Sequence, residues 1–332
     1  MNAMPGRAVL ASLALLLALI LPLVTMAQQA PRTFRVAHLS AAARTPDGAA
    51  AAALRQALRE LGYVEGQNVV YSARFAEGKV ERLPDLVAEL IQLKVDVIVA
   101  TGGPAAMAAK RATSTIPIVT APPSGDIVAA GLIASLARPG SNVTGLSDES
   151  VQLSAKRMEL LKETVPKAGL IAVLWNANDQ GMTLRYREIE KAARILKVEV
   201  QALGVRAPED FAQAFSAMTR QRPDALFLVA DSLTTLNRKQ VVDFAATHRI
   251  PAMYEQGRHV RDGGLMSYGP SPEESYRRAA AYVDRILKGV RPADLPAEQP
   301  TRYYFAINLK TAAALGLTIP PSVLLRADDV VQ

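Results

Sequence analysis

At 332 residues, half of them apolar, the chain has material for about two domains with full hydrophobic cores. Its net charge of +7 is scattered among acidic residues, with no basic block interleaved with aromatics, which argues against a nucleic-acid binder. It has no cysteine, which excludes disulfides, thiolate metal sites, cysteine nucleophiles and lipid attachment through an N-terminal cysteine.

The first segment reads as an export signal. Arg7 supplies a positive start, Val9 to Val24 is apolar except for Ser12 and Pro22, and Thr25-Met26-Ala27 puts small residues at a cleavage site. The apolar run falls short of the ~20 residues a membrane-spanning helix needs. Residues 1–27 are therefore expected to be a cleaved signal peptide. The mature chain is expected to be a soluble periplasmic monomer with no lipid anchor.

Strands and helices then alternate. Phe34–Ser40 is a strand, and Leu54, Leu58 and Leu61 mark a helix capped by Asp47 and stopped by Gly62. Asn68–Phe75 is a strand, Leu83 to Ile91 a helix, and Val95–Ala100 a strand buried on both faces. Gly103-Pro104 opens the next helix. Ile116–Thr120 is a strand, Ile127–Leu136 a helix, and the turn cluster Arg138–Asn142 precedes a crossing near Thr144–Leu146. A helix near Lys156–Val165 follows. Then come strands at Leu170–Trp175, Val198–Leu203, Ala225–Ala230, Ile250–Tyr254 and Gly263–Gly269. They are separated by helices at Gly181–Leu196, Pro208–Gln221 and Thr234–Thr247. Ser271 and Glu274 form a capping box for a helix to Leu287, and Tyr303–Leu309 is a late strand.

The α/β unit occurs twice. Val36–Ser40 is echoed by Ile171–Trp175, Asp96–Thr101 by Asp224–Asp231, and Ile116–Val119 by Ile250–Met253, at nearly constant spacing. The fold class expected is α/β, with two similar Rossmann-like lobes built on parallel sheets. Lobe one takes residues 31–145 and 270–290, and lobe two takes 146–269 and 291–332. Two such lobes enclose a cleft.

Ligands of open parallel sheets bind at the carboxyl ends of the strands. That rule selects Ser40, Thr101-Gly102-Gly103, Asp126, Trp175-Asn176, Asp231-Ser232 and Tyr254-Glu255 as the ligand-binding set. The glycines let backbone amides approach a ligand, and the helix N-terminus behind them favours a carboxylate. Trp175 and Tyr254 can stack on a ligand or pack in the core. Asp231 and Glu255 can receive an ammonium, and Asp231 and Asp126 can alternatively cap helices. No metal or cofactor is expected: the three histidines lack metal-ligand spacing, and neither a dinucleotide fingerprint nor a P-loop occurs. No GxSxG elbow or paired carboxylates point to catalysis, and His38 reads as a core histidine.

Seven strings carry a resemblance over Phe34 to Val331. They are LRELGYVEGQNV, ERLPDLVAELIQLKVDVIVATG, IASLARPGSNVTGLS, VLWN, GGLMSYGP, YVDRILKGVRPADLPAEQPT and INLKTAAALGLTIPPSVL. Together they resemble the tryptophan/tyrosine-type ABC transporter substrate-binding proteins. The resemblance implies a type I periplasmic binding fold with a three-strand hinge, closure on a ligand, and delivery to a membrane permease with a separate ATPase subunit. It also implies that the loops starting at Ser40, Thr101, Asn176 and Asp231 line the cleft. The sequence departs from the family at Ser124–Val128 and at Arg258-His259, both near the cleft, so ligand identity does not transfer with the resemblance. The expected function is capture of an amino acid or similar small carboxylate, without bond chemistry. An exported α/β enzyme and a ligand sensor for a membrane receptor are the rival readings.

Overall fold

The apolar runs that recur along the chain become the strands of two sheets. The computed structural model describes residues 32–42, 49–122, 125–147 and 150–332. The export segment 1–27, Asp47 and Ser124 lie outside them.

In the first lobe the elements are β1 (Phe34–Ser40), α1 (Ala49–Glu60), β2 (Val69–Phe75), α2 (Leu83–Gln92), β3 (Val97–Thr101), α3 (Gly103–Ala112), β4 (Ile118–Ala121) and β5 (Val143–Gly145). They make a five-stranded sheet in the order β2-β1-β3-β4-β5, with every pair parallel. Alternation along each strand divides the side chains between two cores. Leu39, Ile98 and Ala100 pack against α2 and α3. Val36, Val97, Val99 and Val119 face the other side with Leu54 and Leu58 of α1. That second core is completed by α10 (Pro272–Leu287), which brings Tyr276, Ala279, Ala280 and Val283 from far along the chain. Leu295 and Ala297, beyond α10, also pack into the cores of this lobe. Each such buried Val, Leu or Ile contributes about 1.5–3 kcal/mol.

The second lobe contains α4 (Ser150–Thr164), β6 (Leu170–Asn176), α5 (Gln180–Ile195), β7 (Glu199–Val205), α6 (Asp210–Gln221), β8 (Ala225–Leu228), α7 (Ser232–Leu236), α8 (Arg238–Thr247), β9 (Ala252–Tyr254), α9 (Gly257–Arg261) and β10 (Met266–Pro270). After α10, β11 (Tyr303–Asn308), α11 (Leu309–Ala314), α12 (Pro321–Leu324) and β12 (Asp329–Val331) close it. Its seven strands run in the order β12-β11-β10-β9-β8-β6-β7. The pair β10–β11 is antiparallel. The chain leaves this lobe at the carboxyl end of β10 and re-enters on the same side, so β11 must run back along it.

Two local expectations change, over residues 127–136 and over Thr234–Thr247, while the turn expected at Asn142 forms. Residues 127–136 form successive turns rather than a helix. Gly131 takes a left-handed φ of +70°, and the amides of Leu132 and Ile133 both return to the Ile127 carbonyl, ending the helix after one turn. The helix expected over Thr234–Thr247 starts earlier, at Ser232, and breaks into α7 and α8 at Asn237, whose Nδ2 donates to the Leu233 carbonyl. Asn142 is a turn residue whose Nδ2 donates to the carbonyls of Thr113 and Ile116.

Candidate ligand-binding cleft

Three loops of the first lobe approach two helices of the second, α5 and α7, at the carboxyl ends of the strands. A methyl group added to Gly102, after β3, would lie 3.2 Å from Ser232 Oγ at the start of α7. One added to Gly78 would lie 3.0 Å from Leu236 Cδ2 at the end of the same helix. One added to Gly125 would lie 3.8 Å from Met182 Cε on α5. The cleft therefore has lobe-one glycines on one side and lobe-two side chains on the other.

On the first lobe, Ser40 is buried and its Oγ accepts the Ala42 amide. The Thr101 hydroxyl is turned away from the second lobe. Its Oγ1 lies 2.9 Å from His38 Nε2 and 3.1 Å from Tyr276 Oη, beneath α10. His38 sits edge-on to Phe75 and Tyr276. Burial, helped by the Arg55 charge, pushes its imidazole down to about 4, so the ring is neutral at pH 7. Gly102 occupies the N-cap of α3 with φ +93°, and no side chain caps that helix among the described residues. The first return bond runs from the Ala106 amide to the Gly102 carbonyl, leaving earlier amides directed out of the helix end. Asp126 is committed locally, because its Oδ1 accepts the amides of Val128 and Ala129.

On the second lobe, Asn176 Nδ2 donates to Asp231 Oδ2 at 2.5 Å. Asp231 Oδ1 accepts the Thr234 amide while the Asp231 amide donates to Thr234 Oγ1, forming a capping box at α7. The carboxylate is 4% exposed. Burial raises its pKa from the ordinary value, the bonds from Thr234 and Asn176 oppose that rise, and nearby Asp179 adds to it. Among the described residues no ion pair joins a basic side chain to Asp231. Ser232 is half-buried beside Gly102.

Glu255 presents a different picture. Its Oε1 accepts from Arg157 Nη1 and its Oε2 from Arg185 Nη1, both at 2.9 Å, with all three side chains at most 5% exposed. Arg157 Nε also donates to the Tyr268 carbonyl. Neither arginine was selected from the sequence. The available signal was an arginine inside an apolar stripe: Arg157 among Leu153, Leu160 and Leu161, and Arg185 among Met182, Ile189 and Ala193.

The two aromatics lie beneath the surface. Trp175 stacks on Tyr186 at 3.8 Å with planes 9° apart, and its edge abuts Gly204. Its Nε1 is buried and lacks a hydrogen-bond partner among the described residues. Tyr254 is fully buried in the core under α7 and α8, stacked on His259 at 4.8 Å. Burial raises its phenol and lowers the His259 imidazole to about 4.

The structure thus brings Gly102 to Ser232 and Asn176 to Asp231. It engages Thr101, Asp126 and Glu255 with other residues of the protein, and buries Trp175 and Tyr254. Beside Ser232 the α3 helix starts without a side-chain cap, and Asp231, the residue before Ser232, is a buried carboxylate without a cationic partner among the described residues.

Residues 47–331 match the family described as ABC transporter substrate binding protein. A tyrosine-binding protein of Clostridioides difficile is 29% identical over 263 residues, covering 79% of this chain and 75% of that protein. An ABC domain from Streptococcus pneumonia, solved in complex with L-Trp, is 25% identical and covers 90% of this chain and 100% of its own, with a TM-score of 0.84. A substrate-binding protein with adhesive properties from Clostridium difficile, solved in its ligand-free, open form, has the same identity and coverage, with a TM-score of 0.64. The two-lobed architecture is the type I periplasmic binding fold.

Proposed function

We propose that this chain, which belongs to the ABC transporter substrate binding protein family, captures an amino acid, preferably an aromatic one, between its lobes. What supports the reading is the approach of Gly102, the N-cap of α3, to Ser232, the residue after Asp231, which would set opposite electrostatic ends on the two sides of one gap. The open amides at the α3 N-terminus suit a carboxylate. The buried Asp231 carboxylate suits an ammonium. A zwitterion satisfies both. Glu255 is the weaker candidate for the ammonium, because two guanidiniums already hold its oxygens.

The aromatic preference is supported by the tyrosine-binding relative and the L-Trp complex. Closure of the lobes on the ligand is supported by a contrast at equal identity and coverage. The chain fits the L-Trp complex better than the ligand-free, open relative. In this reading binding shifts an open–closed equilibrium, and the closed protein delivers its cargo to a membrane permease driven by a separate ATPase subunit. The Arg7 to Ala27 pattern supports export to the periplasm.

Calorimetric titration tests the site. L-tyrosine or L-tryptophan should bind saturably and without turnover. Tyramine, lacking the carboxylate, and 3-(4-hydroxyphenyl)propionate, lacking the ammonium, should each bind at least ~100-fold more weakly. Equal binding of tyramine and tyrosine would remove the α3 amides from the site.

A further inference from the structure

We propose that α7 is a two-ended closure element: Asp231 at its start meets the ligand, while Leu236 at its end latches onto Gly78 of the opposite lobe and sets how long the cleft stays shut. The inference rests on the proposed capture by lobe closure and adds the device that holds it.

Three lobe-one glycines, Gly78, Gly102 and Gly125, each receive one lobe-two side chain: Leu236, Ser232 and Met182. All three have left-handed φ values, +77°, +93° and +74°, so each chain segment turns sharply and offers bare backbone to the opposite lobe. The contacts differ in chemistry. Ser232 is a polar neighbour of the cleft interior, and Met182 is a core residue of its own lobe. Leu236 is neither. It remains 40% exposed at the end of a five-residue helix, a large apolar side chain whose neighbour across the gap is the Gly78 backbone. The socket is firmly built: the Gly78 amide donates to the Ala41 carbonyl and the Glu77 amide to the Ala42 carbonyl, tying this turn to the loop after β1. Leu236 gains apolar burial from this contact only when the lobes meet, so it stabilises the closed form selectively. It also shares its helix with Asp231, so a ligand that orders the α7 N-terminus also orders the latch.

The absence of native cysteine permits a direct measurement. Ala88→Cys on α2 and Ala212→Cys on α6 are exposed positions beside the outer strands of the two lobes, suited to a pair of spin labels. Interlobe distances are measured without added ligand in the doubly labelled protein and in Leu236→Ala and Leu236→Met versions of it. The expected result is a short-distance population in the parent, depleted about fivefold by Leu236→Ala and retained by Leu236→Met, with unchanged melting temperatures. Leu325→Ala, at a leucine 88% exposed near α12, should leave the distribution unchanged. A parent without the short-distance population, or a Leu236→Ala distribution superimposable on the parent's, overturns the latch. Because no ligand is added, a failure of L-tyrosine to bind would count against the proposed cargo and leave this result standing.

Discussion

Asn176 Nδ2 donates to Asp231 Oδ2 across 2.5 Å, joining the loops that end β6 and β8 side chain to side chain. With the Thr234 amide holding the other oxygen, the carboxylate is fixed in direction at both oxygens and still lacks a countercharge among the described residues. A group held that rigidly, and that poorly compensated, is suited to a cation supplied from outside the chain.

Replacing Asp231 by Asn should separate binding from folding. Asparagine caps helices well, so α7 should survive and the protein should be at least as stable as the parent at neutral pH. The sign follows from the raised pKa: in the range between the ordinary carboxylate value and the raised one, the folded state holds a proton that the unfolded state has released, so Asp231 makes stability fall as pH rises. The variant should lose that slope in urea titrations, while affinity for L-tyrosine should fall by at least ~100-fold. Unchanged affinity would remove Asp231 from the site.

Acid should destabilise the protein through its buried histidines. His38 and His259 are both held down to about 4, chiefly by burial. As pH drops below the unfolded histidine value of ~6.5, the unfolded chain takes up protons that the folded chain refuses. Stability should fall from that point until about pH 4, by roughly 3 kcal/mol per histidine. His38→Gln, which keeps a hydrogen-bonding group toward Thr101, should remove about half of this loss. Parallel urea midpoints for the two proteins at pH 7 and pH 4.5 would contradict it.

Breaking the Arg157–Glu255–Arg185 cluster should be costly to folding. Arg185→Gln leaves a buried carboxylate with one guanidinium fewer and should cost about 3 kcal/mol in chemical denaturation. Adding Glu255→Gln should recover part of the loss, since it removes the charge left undercompensated. If the double variant is no more stable than Arg185→Gln alone, charge compensation is not what the cluster provides.

Trp175 offers a spectroscopic check on the second lobe. It is the single tryptophan and it stacks on Tyr186. Tyr186→Leu should keep the fold, cost about 1 kcal/mol and alter the emission of Trp175. Identical spectra for parent and variant would show that the ring pair does not form in solution.

Much of this architecture was legible in the sequence because strands buried on both faces write themselves as continuous apolar runs. The apolar run Phe34–Ser40 coincides with β1 end to end, and the carboxyl-end rule picks out the loops that meet as Gly102 with Ser232 and Asn176 with Asp231. The direction of individual side chains was less legible. Thr101 shares its strand face with Val97 and Val99, and its hydroxyl meets Tyr276, a residue on a helix that no local pattern connects to β3. Ile127, Leu132 and Ile133 are buried as a helix over Ile127–Leu136 would bury apolar residues, yet Gly131 turns the chain before a helix can run. Arg157 and Arg185 resemble surface charges until their shared partner Glu255, far away in sequence, is known.

The placement of α10 also governs the order in which the molecule can be made. Tyr276, Ala280, Val283 and Leu295 fill the core of the first lobe, yet a ribosome adds them only after the first five strands of the second lobe. The amino-terminal half of a nascent chain therefore has only α1 over that face, and its core is complete only once the residues up to Leu295 have been joined.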